Sequence, residues 1–230
     1  MKQLILIALV LVLVSSCSSS LVYSPSLNLP NHSLKKEEID LQGGVELFPE
    51  SRPSSVSRSN IVGLHGMVAY GFGENFNLSI KGWVDARSSL SDLRPGLSLT
   101  AQFLQHKSPS SKLIIIPRVG SANFGDGYGL SNSVVYHKEQ SPKFSWYSGM
   151  GVGWGFSGFE KISFNSFERP RLPFGYLVMA HLGVGYQLSP QLRLNCELNP
   201  IYQISTFDRS QQLLLSPSIG VGYVISPETK

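Results

Sequence analysis

Apolar and polar residues alternate along most of the chain. In QLRLNCELNPIY (191–202), Leu194 and Leu198 fall on one parity, and Arg193 and Glu197 fall on the other. A period of two is typical of a β-strand with one apolar and one polar face. The pattern therefore predicts an all-β protein, and the open question is which face of each strand points inward.

The alternation predicts about ten strands. They are longer than the about 5–6 residues usual in globular proteins, and they match the about 9–11 residues that a tilted strand needs to cross a bilayer. The predicted strands are 37–48, 60–72, 75–86, 95–105, 112–121, 130–138, 143–156, 174–188, 190–203 and 211–226.

The links between these strands alternate in length. Tight links lie at 73–75, 107–111, 138–142 and 189–190, and longer links at 49–59, 87–94, 122–129, 157–173 and 205–210. Short turns on one side and longer loops on the other are typical of an even-stranded membrane barrel. With ten strands, both ends of the barrel sequence lie on the side of the short turns.

The composition of the two faces favours an apolar exterior. Glycine rows such as Gly149, Gly151 and Gly153 lie on the polar parity. Glycine weakens a strand, but in a narrow lumen it makes room for long side chains from neighbouring strands. The apolar parity carries aromatic residues near the strand ends, for example Tyr70 and Trp154. Two aromatic girdles around an aliphatic band indicate a lipid-facing surface.

The inward parity then collects charges of both signs. Because unpaired buried charges are costly, we expect these residues to form a polar network that fills the lumen. A selective pore or a small-ligand cavity is the alternative. The predicted lumen network is Asp40, Glu46, His65, Lys81, Asp85, Arg118, His181, Arg193 and Glu197.

The N-terminus has the features of an exported lipoprotein. Residues 1–16 combine an early lysine, an apolar run and small residues, which predicts a signal peptide. The following LVSSC resembles a bacterial lipobox, which implies lipidation of Cys17; the alternative is an ordinary signal peptide with a chance cysteine. The Ser-, Asn- and Pro-rich residues up to 36 are interpreted as a flexible tether, so that 17–36 forms a lipidated tether.

Charge and cysteine content exclude several classes. The net charge is +4 without a dense basic run, so nucleic acid is not an expected partner. With Cys17 acylated, Cys196 has no partner for a disulfide. The loop GDGYG (125–129) has one carboxylate and no following lysine, so neither a calcium nor a phosphate loop is predicted. We expect no cofactor and no metal.

Across residues 37–226 the pattern resembles that of small bacterial (Gram-negative) outer-membrane β-barrel proteins, here with a lipoprotein-type signal peptide. The resemblance implies a closed antiparallel up-and-down transmembrane barrel, lipid-anchored in the outer membrane, with 227–230 as a C-terminal tail. It also implies outer-membrane lipid and the insertion machinery as partners, with lipopolysaccharide as a further candidate. Such barrels usually end on an aromatic residue, a role that Tyr223 would have to take here.

Three functions follow as hypotheses. The first is a structural or small-solute transport (porin-like) barrel without catalysis, and the second is a periplasmic or surface lipoprotein whose soluble barrel binds an apolar ligand. The third is an outer-membrane hydrolase that uses a His65–Asp85 base with Ser88 or Ser89 nearby. The aromatic and basic loop 157–173 is interpreted as a cap on the barrel mouth, or alternatively as a partner-binding surface.

Overall fold

The structure is a computed structural model that describes residues 21–22, 24–29, 34–48, 50–51, 61–85, 95–108, 110–122, 127–157, 174–205 and 211–227. This part of the chain forms twelve strands: β1 (Leu21–Val22), β2 (Ile39–Phe48), β3 (Glu50–Ser51), β4 (Ile61–Gly73), β5 (Phe76–Asp85), β6 (Pro95–Lys107), β7 (Ser111–Ala122), β8 (Gly127–Glu139), β9 (Phe144–Ser157), β10 (Phe174–Gln187), β11 (Leu192–Ser205) and β12 (Gln211–Ile225). None of the described residues belongs to a helix long and apolar enough to cross a membrane.

Ten of the strands close into an antiparallel barrel in which each strand pairs with its neighbours in sequence. β12 pairs with β2 and completes the ring, from Ser218–Glu46 to Ile225–Ile39. The short strands β1 and β3 form a separate two-stranded sheet. The predicted up-and-down barrel of ten strands is confirmed, and every predicted strand end lies within three residues of its observed position.

The two ends of the barrel differ. At the turn end lie the links 74–75, 108–110, 140–143 and 188–191, together with Ile39 and Ile225, the outermost barrel residues. The opposite end is called the loop end, and there β2 finishes at Phe48 and β4 begins at Ile61.

The outer face of the barrel is apolar. Leu194 and Leu198 are 37% and 39% exposed, whereas Arg193 and Glu197 are 1% and 5% exposed. The apolar side chains of the strand therefore point outward, and the charged side chains point into the lumen. An exposed apolar surface that runs round a closed barrel fits a lipid solvent and not water.

Aromatic side chains mark both edges of this belt. Near the turn end they touch one another: the ring centroids of Phe72 and Phe76 are 5.4 Å apart, and those of Phe76 and Phe103 are 5.0 Å apart. Tyr136, Phe144, Tyr186 and Tyr223 are exposed at the same end, and Tyr128, Trp154, Tyr176 and Tyr202 are exposed towards the loop end. These are the two predicted girdles.

The glycine rows provide space for large side chains inside the barrel. A Cβ on Gly222 would lie 2.6 Å from Cζ of Arg193, and one on Gly183 would lie 2.1 Å from Cζ of Tyr147. A Cβ on Gly96 would meet the Trp83 ring at 2.1 Å. The rows therefore accommodate aromatic rings as well as the long charged side chains that the sequence indicated.

The prolines within strands interrupt single ladders without changing the register. The β6–β7 pairing skips from Thr100–Arg118 to Phe103–Ile115 beside Pro117. The β12–β2 ladder likewise begins only after Pro217, at Ser218. A proline has no N–H for the ladder, so each break lies on the strand side where that donor is missing.

Candidate functional site

Residues 24–29, SPSLNL, lie inside the barrel, and all six are buried. We call them the luminal segment. Their Ser-, Asn- and Pro-rich composition predicted a flexible tether outside the barrel. The structure places them in the lumen because their side chains suit its walls: Ser24 and Ser26 face buried charges, whereas Leu27 and Leu29 pack on apolar residues.

Glu46 of β2 holds the first half of the luminal segment. Its carboxylate accepts hydrogen bonds from the hydroxyl of Ser24 (2.7 Å) and from the amide and hydroxyl of Ser26 (2.9 and 2.6 Å). The same carboxylate pairs with Nζ of Lys81 at 3.1 Å, and it accepts a bond from the Ser216 hydroxyl at 3.2 Å. Lys81 also donates to the Ser26 carbonyl at 3.0 Å. The buried ion pair is thus completed by groups of the segment.

Glu197 of β11 holds the second half. Its carboxylate accepts hydrogen bonds from the amide of Leu27 at 2.8 Å and from the amide of Asn28. The side chain of Asn199 donates to it at 3.4 Å. Two consecutive backbone amides on one carboxylate leave little freedom for the chain at this point, since charge-assisted bonds are stronger than neutral ones.

Arg118 of β7 binds the opposite side of the segment backbone. Its guanidinium donates to the carbonyls of Ser24 (2.9 Å) and Ser26 (3.0 Å), and its Nε donates to Thr100 Oγ1 at 3.2 Å. Arg118 and Glu197 therefore use the segment backbone as their main partner. Without the segment, a buried cation and a buried anion would lose these bonds, which is costly in a low-dielectric interior.

A further pair lies closer to the turn end. Arg193 of β11 forms an ion pair with Asp40 of β2, and both side chains are fully buried. Gln42 donates to Asp40 Oδ2 at 2.7 Å and to the carbonyl of Asn28 at 2.7 Å. This connects the ion pair to the luminal segment through a single amide group.

Part of the luminal wall, on β7, β8 and β9, is apolar. Leu27 and Leu29 form one buried cluster with four wall residues, which are Ile114, Ile116, Val135 and Tyr147. This apolar patch was not among the residues predicted to line the lumen. The run Ile114–Ile116 contained the signal, because it is apolar on both parities and so predicts an apolar side chain on the luminal face.

The remaining predicted residues are placed as follows. His65 lies beside Glu46, with Nδ1 3.7 Å from Oε2. His181 bridges the Ser133 hydroxyl (3.0 Å) and the Asn199 amide oxygen (2.8 Å). Asp85 pairs with Gly63 in the β4–β5 ladder, and its side chain lies outside the described part, as do Cys17, Ser88, Ser89 and the loop 158–173.

Residues 34–38 fasten the chain at the turn end. The amide of Glu37 donates to the carbonyl of Gly71 at 2.7 Å, and the amide of Gly71 donates to the carbonyl of Glu38 at 2.9 Å. Leu34 is buried with Met67, Ala69 and Val224. A Cβ on Gly71 would lie 2.0 Å from the Lys35 carbonyl oxygen, so a glycine is required for this close approach.

The site as a whole is a peptide-filled lumen. Six of the predicted charges, three acidic (Asp40, Glu46, Glu197) and three basic (Lys81, Arg118, Arg193), are buried there and balance one another. Among the residues that the structure describes, no group of three His, Cys, Asp or Glu side chains is placed to hold a metal ion. The chemistry that the site displays is recognition of an extended backbone.

Comparison with known proteins finds similarity at the level of fold. An outer-membrane channel from Pseudomonas putida F1 has 8% identity and a TM-score of 0.49, with 88% of this chain and 100% of that chain covered. The N-terminal β-barrel domain of Pseudomonas aeruginosa OprF has 9% identity and a TM-score of 0.38, covering 84% and 100%. The Escherichia coli outer-membrane protease OmpT has 7% identity and a TM-score of 0.43, covering 83% and 94%. No protein-family model and no curated protein sequence matches the chain.

Proposed function

We propose that this protein is a lipid-anchored outer-membrane β-barrel whose lumen is closed by its own luminal segment, with a structural or small-solute transport (porin-like) role and no catalysis. The observation that carries the proposal is the combination of an apolar, aromatic-bordered exterior with a charged interior occupied by residues 24–29. Closed barrels with such a belt are the β-structures that satisfy every backbone group within lipid.

The membrane part of the proposal is tested without the lipid anchor. Cys17→Ser is expressed behind a cleavable signal peptide, and membranes are washed with urea or carbonate. The barrel is expected to stay in the pellet and to change its gel mobility only after boiling. Release into the soluble fraction would mean that lipid was its only attachment and would overturn the proposal.

The transport part requires the luminal segment to move. In planar bilayers the wild-type protein is expected to conduct little, because the segment is bonded to both walls of the lumen. A variant in which residues 24–29 are replaced by alternating Gly and Ser is expected to conduct. The matched control changes outward residues only (Leu213→Ala with Leu215→Ala) and should behave as wild type. If no variant conducts, the structural role stands and the transport role is rejected.

Two alternatives are weaker. A soluble barrel that binds an apolar ligand needs its apolar face inside. The outward exposure of Leu194 and Leu198 argues against this alternative. A hydrolase needs an accessible base, whereas His65 is buried beside Glu46. An esterase or protease assay of wild type and His65→Ala decides this second alternative, and activity that depends on His65 would support an enzyme.

The partners follow from the location. Outer-membrane lipid contacts the apolar belt, and the insertion machinery assembles the strands, with the rim aromatic Tyr223 as the candidate recognition residue near the C-terminus. Lipopolysaccharide is the candidate ligand of the loop 157–173. Deletion of that loop followed by a lipopolysaccharide binding assay tests the last point, and unchanged binding would reject it.

A further inference from the structure

The luminal segment runs through the barrel in one defined direction. Ser24 and Ser26 bind Glu46, two residues from the loop-end terminus of β2. Asn28 binds Gln42, which lies four residues further towards the turn end. The segment is thus antiparallel to β2, and its N-terminal side lies nearer the loop end.

The chain on both sides of the segment agrees with this direction. Residues 34–38 are fastened to Gly71 at the turn end. On the other side, β1 pairs with β3, with Leu21 opposite Ser51 and Val22 opposite Glu50. Because β3 follows the end of β2 by one residue, this small sheet lies at the loop end.

We infer that the chain enters the lumen from the loop end, so that the mature N-terminus and an acyl group on Cys17 are located on the same side of the membrane as the long loops. This inference rests on the proposed membrane-spanning function. The sequence predicted the opposite arrangement, in which residues 17–36 form a tether that joins the lipid to the first barrel strand on the side of the short turns. With the loops outside, the anchor belongs to the cell-surface leaflet.

Chain length supports this position for the lipid. Three residues separate Cys17 from Leu21, which makes four steps along the chain. An extended chain spans at most about 3.6 Å per step, so covalent geometry limits the distance from the cysteine to β1 to about 14 Å. That distance is shorter than the roughly 30 Å hydrocarbon core. Acyl chains on Cys17 can therefore reach the leaflet at the loop end, but they cannot reach the opposite one while β1 is paired with β3.

The first experiment compares the accessibility of three engineered cysteines in a Cys196→Ala background. Ser20→Cys probes the N-terminus, Ser51→Cys the loop end and Ser141→Cys the turn end. Intact cells are treated with a membrane-impermeant maleimide, and lysed cells provide the total. Ser20→Cys is expected to label in intact cells to the same extent as Ser51→Cys, whereas Ser141→Cys labels only after lysis.

The outcomes separate the inference from the proposal on which it rests. If Ser20→Cys labels only after lysis, as Ser141→Cys does, while Ser51→Cys labels in intact cells, the proposed direction of the luminal segment is overturned. The membrane-spanning barrel would still stand. Equal labelling of Ser51→Cys and Ser141→Cys in intact cells would mean that the barrel does not separate two compartments, so that the proposed function itself fails.

A second experiment covers the case in which Ser20 is shielded from the reagent. Val22→Cys with Glu50→Cys places two thiols on paired residues, and copper phenanthroline is supplied as the oxidant that takes up the two electrons. An intramolecular disulfide is expected, detected as a loss of two hydrogens in the intact mass. The control pair Val22→Cys with Gln140→Cys joins opposite ends of the barrel and should stay reduced. Disulfide formation in the control but not in the paired variant would overturn the inference.

Discussion

Glu46 accepts two hydrogen bonds from Ser26, one from its backbone amide at 2.9 Å and one from its hydroxyl at 2.6 Å. Through this one carboxylate the barrel wall binds both the backbone and a side chain of the segment that fills it. The same carboxylate is the counter-ion of Lys81. Closure of the lumen and neutralisation of its charges therefore depend on the same group.

Glu46→Gln is expected to destabilise the folded barrel by about 3–5 kcal/mol, because it removes one member of a buried ion pair and leaves Lys81 without its anion. Urea unfolding in detergent micelles measures the change. The double variant Glu46→Gln with Lys81→Met should recover part of the loss, since no lone charge remains. A double variant less stable than Glu46→Gln alone would contradict this account.

Leu27→Ala is expected to loosen the luminal segment. Truncating a fully buried leucine typically costs about 2–5 kcal/mol, here within the cluster formed with Ile114, Ile116 and Tyr147. Amide hydrogen exchange of residues 24–29 should become faster, because the lost free energy makes local opening of the segment more frequent. Leu213→Ala, at an outward position that is 67% exposed, is the control and should leave the exchange of the segment unchanged.

Gly183→Ala is expected to disturb the apolar wall of the lumen. The added methyl group would lie 2.1 Å from the Tyr147 ring, and insertion of a methyl group into a packed interior typically costs about 1–3 kcal/mol. Gly155→Ala is the matched control, because no atom lies within 4 Å of its added Cβ. Equal melting temperatures for the two variants would show that Tyr147 can move aside.

Gly71→Ala is expected to release residues 34–38 from the turn end. Its methyl group would lie 2.0 Å from the carbonyl oxygen of Lys35, so the two backbones could not stay in contact. Limited proteolysis of purified protein should then cleave at Lys35 or Lys36 faster than in wild type. Gly73→Ala, with open space around its added Cβ, should be cleaved at the wild-type rate.

Most of the barrel could be predicted from the sequence because its signal is periodic. In β11 each residue has one of two environments, so Arg193 and Leu194 report the inward and outward faces directly. What fills the lumen was harder to predict from the sequence. The hydrophilic composition around Ser24 and Ser26 suggested a solvated tether, whereas these hydroxyls bind Glu46 inside the barrel.

The partners of individual charges were also beyond the sequence. Periodicity placed Arg118 and Glu197 on the inward parity, and pairing with opposite charges was the natural expectation. The structure gives them backbone partners instead, on Ser24 and Leu27 respectively. Such contacts depend on where one segment crosses the lumen, and they join residues 94 and 170 positions apart in the chain. No local pattern encodes that crossing.

The luminal segment also constrains the order of assembly. The ring is completed only when β12, the last strand made, joins β2. With the proposed lipid on Cys17, that end would be too bulky to be drawn afterwards through an interior already crowded with buried side chains. The strands must therefore wrap around residues 24–29, which are synthesised before any of them. In this view the segment acts as an internal template for folding, and the β2–β12 seam is the last part of the wall to close.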